Sequence, residues 1–206
     1  EALENNKSIV ALESTLISHG LPYPENINVA KESIKAVEDS GSIAATIGII
    51  NGEIIIGLDD NEIELLATSK NIEKVSLHNI ALSIYEKKIA ATTVATTINI
   101  ASKIGINFFA TGGIGGVHLG AEKNNDVSAD LTELSRNKMF VISSGAKSIL
   151  DLEKTFEKLE TFGIPRISFN SDFMPGFWYE ETNYKVDKNF NNINDIANYL
   201  KIIENL

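Results

Sequence analysis

The stretch AATTVATTINIASKIGINFFA, residues 90–110, contains a predicted strand, a helix and a second strand in direct succession. A small, Thr-rich strand end passes into a helical segment that stops at Gly105, and the apolar run 107–110 forms the next strand. Short apolar runs that alternate with amphipathic helices are typical of helices packed around a largely parallel sheet. The stretch therefore predicts an α/β fold.

The same alternation extends in both directions along the chain. Further strands are predicted at 8–12, 73–77, 139–143 and 167–169. Further helices are predicted at 26–39, 59–66, 78–88, 149–159 and 193–203. Asn51-Gly52 joins the β-branched runs 43–50 and 53–56 and favours a type I′ turn, so an antiparallel hairpin interrupts the pattern. We expect a three-layer α/β/α fold with a mixed, mostly parallel central sheet, formed by residues 1–206 as a single domain.

Composition narrows the classes of function. The formal net charge of −10 opposes binding to nucleic acid, whose affinity for proteins comes largely from phosphate contacts. The absence of cysteine excludes disulfides, thiolate zinc sites and a Cys nucleophile. No apolar run approaches membrane-spanning length, so we expect a soluble, cytoplasmic protein with no membrane partner. Only Arg136 and Arg166 are arginines, so an anionic substrate would be held by lysines, backbone N–H groups and hydroxyls.

Glu13 directly follows the first predicted strand, and Ser14, Thr15 and Ser18 follow it. Ligands of open α/β sheets bind outside the carboxyl ends of the strands, which makes this acid a candidate functional group. Most acids beside a Ser/Thr pair are capping or solvated carboxylates, and on the residues alone this alternative is favoured.

A glycine cluster follows the strand at 107–110 in the segment TGGIGGVHLG. Its glycines allow backbone N–H groups to approach a ligand closely, as in an anion-binding nest, or they form a tight turn after the strand. The spacing matches neither GxGxxG nor a P-loop, which disfavours an enzyme that uses a nucleotide cofactor. His118 in this segment is either a loop histidine with satisfied hydrogen bonds or a catalytic one.

Two other segments carry candidate chemistry. Lys147 in SSGAKS follows a buried strand among small residues, where partial desolvation would favour a nucleophilic amine; the alternative is a lysine that extends from the first turn of a helix. In NNDVSADLTEL, Ser128 or Asp126 would cap the next helix. As a metal ligand, Asp126 would serve a hard cation such as Mn²⁺ or Mg²⁺ completed by water. The aromatic cluster within 170–190 lines either a core loop or a subunit contact.

Taken together and in this order, these segments resemble the pseudouridine-5′-phosphate glycosidase family, also called the indigoidine-synthase-A-like family. The resemblance extends over most of residues 8–165. The matching strings are VALESTLISHGLPYPEN, AATIGIINGEIIIGL, KVSLHNI, AATTVATTI, FFATGGIGGVHLGAE, DVSADLTEL, SSGAKSILDL and LETFGIP.

The resemblance implies reversible cleavage of pseudouridine 5′-phosphate to uracil and ribose 5-phosphate, with Mn²⁺ as cofactor. Because the bond is carbon to carbon, the sugar ring must open before the base can leave. By the resemblance, Glu13 protonates the ring oxygen, and Lys147 attacks C1′ to give a covalent adduct that becomes an imine. Asp126 matches the metal ligand.

The remaining site residues are also carried over from the resemblance. It implies substrate contacts by Lys74, Val94, Ser128, Ala129 and Asp130. Thr111 and His118 are expected to line the same pocket. On physical grounds, Lys74 and the N–H groups of the glycine cluster are our choice for the phosphate cradle.

Two departures from the family pattern bear on activity. Family chains continue well beyond residue 206, with a catalytic asparagine in the additional part, so the chain is expected to lack this C-terminal segment. Leu119 stands where the family commonly has a basic residue. The resemblance also implies a homotrimer. The alternative function is a truncated, non-catalytic binding or scaffold module with the same fold.

Overall fold

The computed structural model of the chain describes residues 2–205 and divides them into two compact units. Unit 1 comprises residues 2–111 and 139–142, and unit 2 comprises residues 112–138 and 143–205. The single domain expected from the sequence stays a prediction. Among the helices of residues 2–205, none is both long and apolar enough to cross a bilayer.

Unit 1 contains seven strands and four α-helices within the described residues. The strands are β1 (Ile9–Leu12), β2 (Ile43–Ile50), β3 (Glu53–Ile56), β4 (Glu73–Val75), β5 (Ala90–Thr92), β6 (Phe108–Ala110) and β7 (Phe140–Ile142). The helices are α1 (Glu25–Asp39), α2 (Asp60–Thr68), α3 (Ile80–Tyr85) and α4 (Val94–Lys103), with a π-helical turn at Leu16–Gly20. Each of these strands and α-helices overlaps a segment predicted from the sequence, although α1 begins one residue earlier and α2 ends two residues later than predicted.

The strands of unit 1 form one mixed sheet in the order β4-β5-β2-β1-β6-β7, and β3 also pairs with β2. The pairs β1–β2, β1–β6, β6–β7 and β4–β5 are parallel, whereas β2 pairs antiparallel with β3 and β5. The predicted fold class, a three-layer α/β/α fold with a mixed, mostly parallel sheet, is confirmed. The hairpin is confirmed too, because Asn51 and Gly52 have the positive φ angles of 52° and 80° that a type I′ turn requires.

Apolar burial holds the helices of unit 1 in place. The side chains of Ile17, Ala30, Leu58, Ile63 and Leu66 form one buried cluster, which joins the π-helical turn to α1, α2 and the loop before α2. The capping box of Asp59 and Glu62 satisfies backbone N–H groups at the start of α2. The loop that follows β1 is therefore anchored by packing on its apolar side.

Unit 2 consists of loops, short helices and a second small sheet. Its elements are α5 (Ala121–Asn124), α6 (Ala129–Arg136), α7 (Leu152–Thr161), β8 (Ile167–Phe169), β9 (Lys188–Phe190) and α8 (Ile193–Glu204). β8, predicted from the sequence, pairs in parallel with β9 in a two-stranded sheet. β9 was not predicted, because its three residues KNF show no apolar alternation.

Candidate functional site

Glu13 lies at the carboxyl end of β1 in unit 1, and its side chain is half-buried. The parallel register pairs Leu12 with Ala110. Glu13 and Thr111, the residues that follow this pair, therefore lie side by side. The Thr111 hydroxyl donates a hydrogen bond of 2.5 Å to Oε1 of Glu13. The backbone N–H of Thr111 donates to the carbonyl of Ile142, so its main chain is fixed from the β7 side.

A buried network of hydroxyl groups fixes the main chain after Glu13. The Ser14 hydroxyl donates to the carbonyl of Ile47 at 2.6 Å and accepts the backbone N–H of Thr92 at 2.9 Å. The Thr15 hydroxyl donates to the carbonyl of Thr92 at 2.8 Å. Ser14 and Thr92 are both fully buried. The hydroxyl residues beside Glu13 therefore bind the backbone and fix the loop that carries the acid.

Lys74 lies in the middle of β4 and is exposed. The sequence identified no role for its neighbour His19, whose Nδ1 lies 2.6 Å from the Ser18 hydroxyl. Burial and the positive charge of Lys74 lower the pKa of His19, while a hydrogen bond with the backbone of Ile72 raises it. His19 therefore lies close enough to Lys74, the lysine predicted to contact substrate, for the charge of Lys74 to lower its pKa.

Val94 is the first residue of α4 and is 1% exposed. Its side chain is packed inside unit 1, so a substrate contact would be made by its main chain at the helix N-terminus. Thr93 precedes it as the N-cap, and the Thr93 hydroxyl accepts the N–H of Thr96 at 3.4 Å.

Lys147 lies in a loop of unit 2, and its side chain is half-buried. Its backbone N–H donates to the carbonyl of Ile114 at 3.0 Å, and Ile114 forms a parallel bridge with Ala146. Helix α7 begins only at Leu152, so the alternative of a lysine in the first turn of a helix is wrong. The strand-like pairing with the glycine segment fixes the main chain of Lys147.

The glycine segment uses several of its N–H groups within unit 2. The N–H of Ile114 donates to the carbonyl of Gly145, and that of Gly115 donates to Oδ2 of Asp130 at 2.7 Å. The N–H of Val117 donates to the Thr155 hydroxyl at 3.0 Å. These three groups, of which that of Gly115 belongs to the four glycines of the cluster, are not available to a phosphate. The cluster is mainly a close-packed turn.

The aromatic segment that follows β8 packs partly against the glycine segment. Phe177 has a positive φ of 66°, its ring lies against Gly113, and its N–H donates to the carbonyl of Ser144 at 2.8 Å. Trp178 and Tyr179 are 74% and 69% exposed. The segment was predicted to line either a core loop or a subunit contact. Phe177 agrees with the core loop, whereas Trp178 and Tyr179 lie on the surface of the described chain.

The other predicted residues of unit 2 lie around the same glycine segment. Ser128 is the N-cap of α6, as expected, and its hydroxyl accepts the N–H of Asp130. Ala129 is half-buried at the start of α6, and Asp130 is buried. The half-buried His118 donates its backbone N–H to the carbonyl of Asp126 and forms a bridge with Leu150. Backbone pairing thus brings these residues and the Lys147 loop together.

Asp126 is exposed, and residues 2–205 contain no group of three or more His, Asp or Glu side chains that could hold a metal ion. A single carboxylate fits only a hard cation that keeps most of its water, which is the behaviour of Mg²⁺ and related ions. A cation at Asp126 would therefore be held by this one carboxylate and by water.

Comparison with known proteins gives consistent matches. The family model described as "Indigoidine synthase A like protein" matches residues 1–206. The pseudouridine-5′-phosphate glycosidase of Staphylococcus aureus (strain MW2) is 53% identical over 90% of this chain and 61% of its own length. That of Brachyspira hyodysenteriae is 49% identical over 97% of this chain and 65% of its own length. The chain thus spans less than two thirds of these two relatives.

Solved structures show the same fold. An indigoidine synthase A-like protein from Thermotoga maritima has a TM-score of 0.89 and 36% identity, covering 97% of this chain and 66% of the other. The prealnumycin C-glycosynthase AlnA, solved with ribulose 5-phosphate, has a TM-score of 0.89 and 39% identity, covering 98% of this chain and 65% of its own. The chain belongs to the indigoidine synthase A-like protein family.

Proposed function

We propose that this chain contributes the core of a pseudouridine-5′-phosphate glycosidase, which cleaves the carbon–carbon glycosidic bond of its substrate reversibly to uracil and ribose 5-phosphate. Relatives of that name match at 46–53% identity, and the structural neighbour AlnA holds a pentose phosphate. The observation that carries the proposal is the half-buried Lys147, whose main chain is fixed by pairing with Ile114. A fixed amine among small residues suits covalent catalysis.

The chemistry needs an acid and a nucleophile. A carbon-linked base cannot leave by protonation of an exocyclic oxygen, so the sugar itself must become the electron sink. We propose that Glu13 donates a proton to the ribose ring oxygen as the C1′–O bond breaks. The Lys147 amine forms the new bond to C1′. Protonation of the base carbon then accompanies cleavage of the C1′–base bond, the nitrogen lone pair forms the imine, and water releases ribose 5-phosphate.

Substrate contacts are proposed for the residues that the resemblance identifies. Lys74 supplies a positive charge for the phosphate. Val94 contributes through its main chain. His118 and the tripeptide Ser128–Asp130 belong to unit 2, where backbone pairing connects them to the loop of Lys147, and they contribute further substrate contacts. The exposed Leu119 offers no charge to the phosphate.

We propose Asp126 as the residue that holds Mn²⁺. The hydrated ion, when bound, supplies positive charge and ordered water. A cytoplasmic location and a homotrimer are proposed with the same activity, the first from the composition and the second from the family resemblance.

A uracil-release assay tests this function. The chain is incubated with pseudouridine 5′-phosphate and Mn²⁺, and uracil is measured by chromatography. We expect release by the wild type, loss of at least about a thousandfold in Lys147→Ala, and loss of about a hundred- to ten-thousandfold in Glu13→Gln. Lys123→Ala, which removes an exposed lysine of α5, is the matched control and should keep full activity.

The alternative function, a binding or scaffold module that does not turn over substrate, predicts a different result. Substrate or ribose 5-phosphate would raise the melting temperature, but no uracil would form. Equal activity of Lys147→Ala and wild type would contradict the proposed mechanism.

A further inference from the structure

We propose that Thr111 is a positioning residue for the acid Glu13, and that it acts through this carboxylate and not through a direct substrate contact. The inference rests on the proposed function, in which Glu13 donates the proton to the ring oxygen. It replaces the expectation that Thr111 lines the substrate pocket.

The pairing of β1 with β6 places the two residues together. Leu12 and Ala110 are register partners, so Glu13 and Thr111 are the first residues beyond the paired positions of neighbouring parallel strands. Both side chains are half-buried. This placement comes from the sheet itself and does not depend on a mobile loop.

The hydroxyl of Thr111 then fixes the carboxyl group. It donates to Oε1 of Glu13 at 2.5 Å, at the short end of the range for hydroxyl-to-carboxylate hydrogen bonds. With Oε1 engaged as an acceptor, we expect Oε2 to carry the acidic proton. The hydrogen bond thus selects which oxygen donates the proton and in which direction.

The main chain around both residues is fixed as well. Ser14 and Thr15 bind the backbone of Ile47 and Thr92, and the N–H of Thr111 binds the carbonyl of Ile142. Thr111 restricts the torsions of the Glu13 side chain through its hydrogen bond to Oε1. Holding an acid in its productive orientation contributes to catalysis through preorganisation.

A valine and a serine variant separate this role from substrate binding. Thr111→Val keeps the shape and removes the hydroxyl, and we expect kcat to fall about tenfold to a hundredfold with KM changed less than about threefold. Thr111→Ser keeps the hydroxyl and should recover kcat to within about fivefold of wild type. Thr68→Val is the matched control, because its exposed hydroxyl donates only to the carbonyl of Glu64, and its kinetics should equal those of wild type.

The kinetic outcomes are decisive when the wild type turns over. A raised KM with unchanged kcat in Thr111→Val would show direct substrate contact and would overturn the proposal. Wild-type kcat in Thr111→Val, or failure of Thr111→Ser to recover, would overturn it too.

A thermal double-mutant cycle keeps the test independent of turnover. Melting temperatures are measured for wild type, Glu13→Ala, Thr111→Val and the double variant. We expect the double variant to melt about 2 °C or more above the value that the summed single shifts predict, because the two changes remove the same hydrogen bond. Additive shifts would overturn the proposal. If uracil is not released by the wild type while the cycle is non-additive, the proposed function fails but the Thr111–Glu13 link stands.

Discussion

Gly115 leaves no room for a side chain, because Ser128 and Asp130 pack directly against its backbone. A Cβ added to Gly115 would lie 2.7 Å from Cβ of Ser128 and 2.8 Å from Oδ2 of Asp130. Neither neighbour can move freely, since Asp130 is buried and accepts the N–H of Gly115 itself. At the scale of single residues, this glycine is required by packing between the glycine segment and the start of α6.

Gly115→Ala should therefore destabilise the chain by about 1–3 kcal/mol, the usual cost of overpacking. The measurement is the urea unfolding midpoint. Gly112→Ala is the matched control, because a Cβ there meets only the Phe177 ring at 3.8 Å. Equal midpoints for the two variants would contradict this account of the glycine segment.

At the scale of elements, an ion pair connects the residue before β8, Arg166, to the residue before β9, Asp187. The Arg166 guanidinium donates to Oδ1 of Asp187 at 2.6 Å. The backbone N–H of Arg166 donates to Oδ2 of Asp187, and the N–H of Asp187 donates to the carbonyl of Arg166, both at 2.8 Å. The Arg166 side chain is 14% exposed and that of Asp187 is 46% exposed. Hydrogen bonds from Arg166 lower the pKa of the Asp187 carboxyl. A lowered pKa means that the ionised form stabilises the fold.

Asp187→Asn should lower stability at pH 7 by about 1 kcal/mol, a modest value because the pair is partly exposed to solvent. The contribution of Asp187 is fully present above its unfolded pKa of about 4 and is lost as pH falls through its lower folded pKa. The difference between wild type and variant in urea unfolding should therefore be constant from pH 7 to about 5 and shrink below about 4.

Glu160→Gln is the control for this ion pair. Glu160 is 71% exposed and lies 3.7 Å from the same guanidinium, so its loss should have little effect at any pH. A difference for Asp187→Asn that grows on acidification would contradict the assigned direction of the pKa shift.

The sequence predicts elements well where the signals are local. The hairpin of β2 and β3 follows from Asn51-Gly52, and α2 begins after Asp59 because this residue caps it. β9 could not be predicted, because it exists by pairing with β8 about 20 residues earlier in the chain. Neighbouring residues largely determine whether a segment forms a helix or a strand, whereas the partner of a strand depends on tertiary contacts.

At the scale of the whole molecule, position after a predicted strand indicates Glu13 and Lys147 as candidates and the resemblance gives them roles, whereas the structure shows what surrounds them. The hydrogen bond between Glu13 and Thr111 joins residues 98 positions apart, so no local pattern reports it. The glycine segment predicted exposed N–H groups, but three of them are used by Gly145, Asp130 and Thr155. Composition cannot distinguish a glycine that approaches a ligand from one that approaches its own protein.

Covalent trapping at Lys147 tests the central claim most directly. The chain is incubated with ribose 5-phosphate and Mn²⁺, reduced with borohydride, digested and mapped by mass spectrometry. The amine and the sugar aldehyde form an imine with loss of water, and hydride reduction makes the bond permanent. We predict a pentose phosphate adduct on the peptide of Lys147 in wild type and none in Lys147→Ala. Labelling spread equally over surface lysines, or a wild-type Lys147 peptide without adduct, would contradict the account.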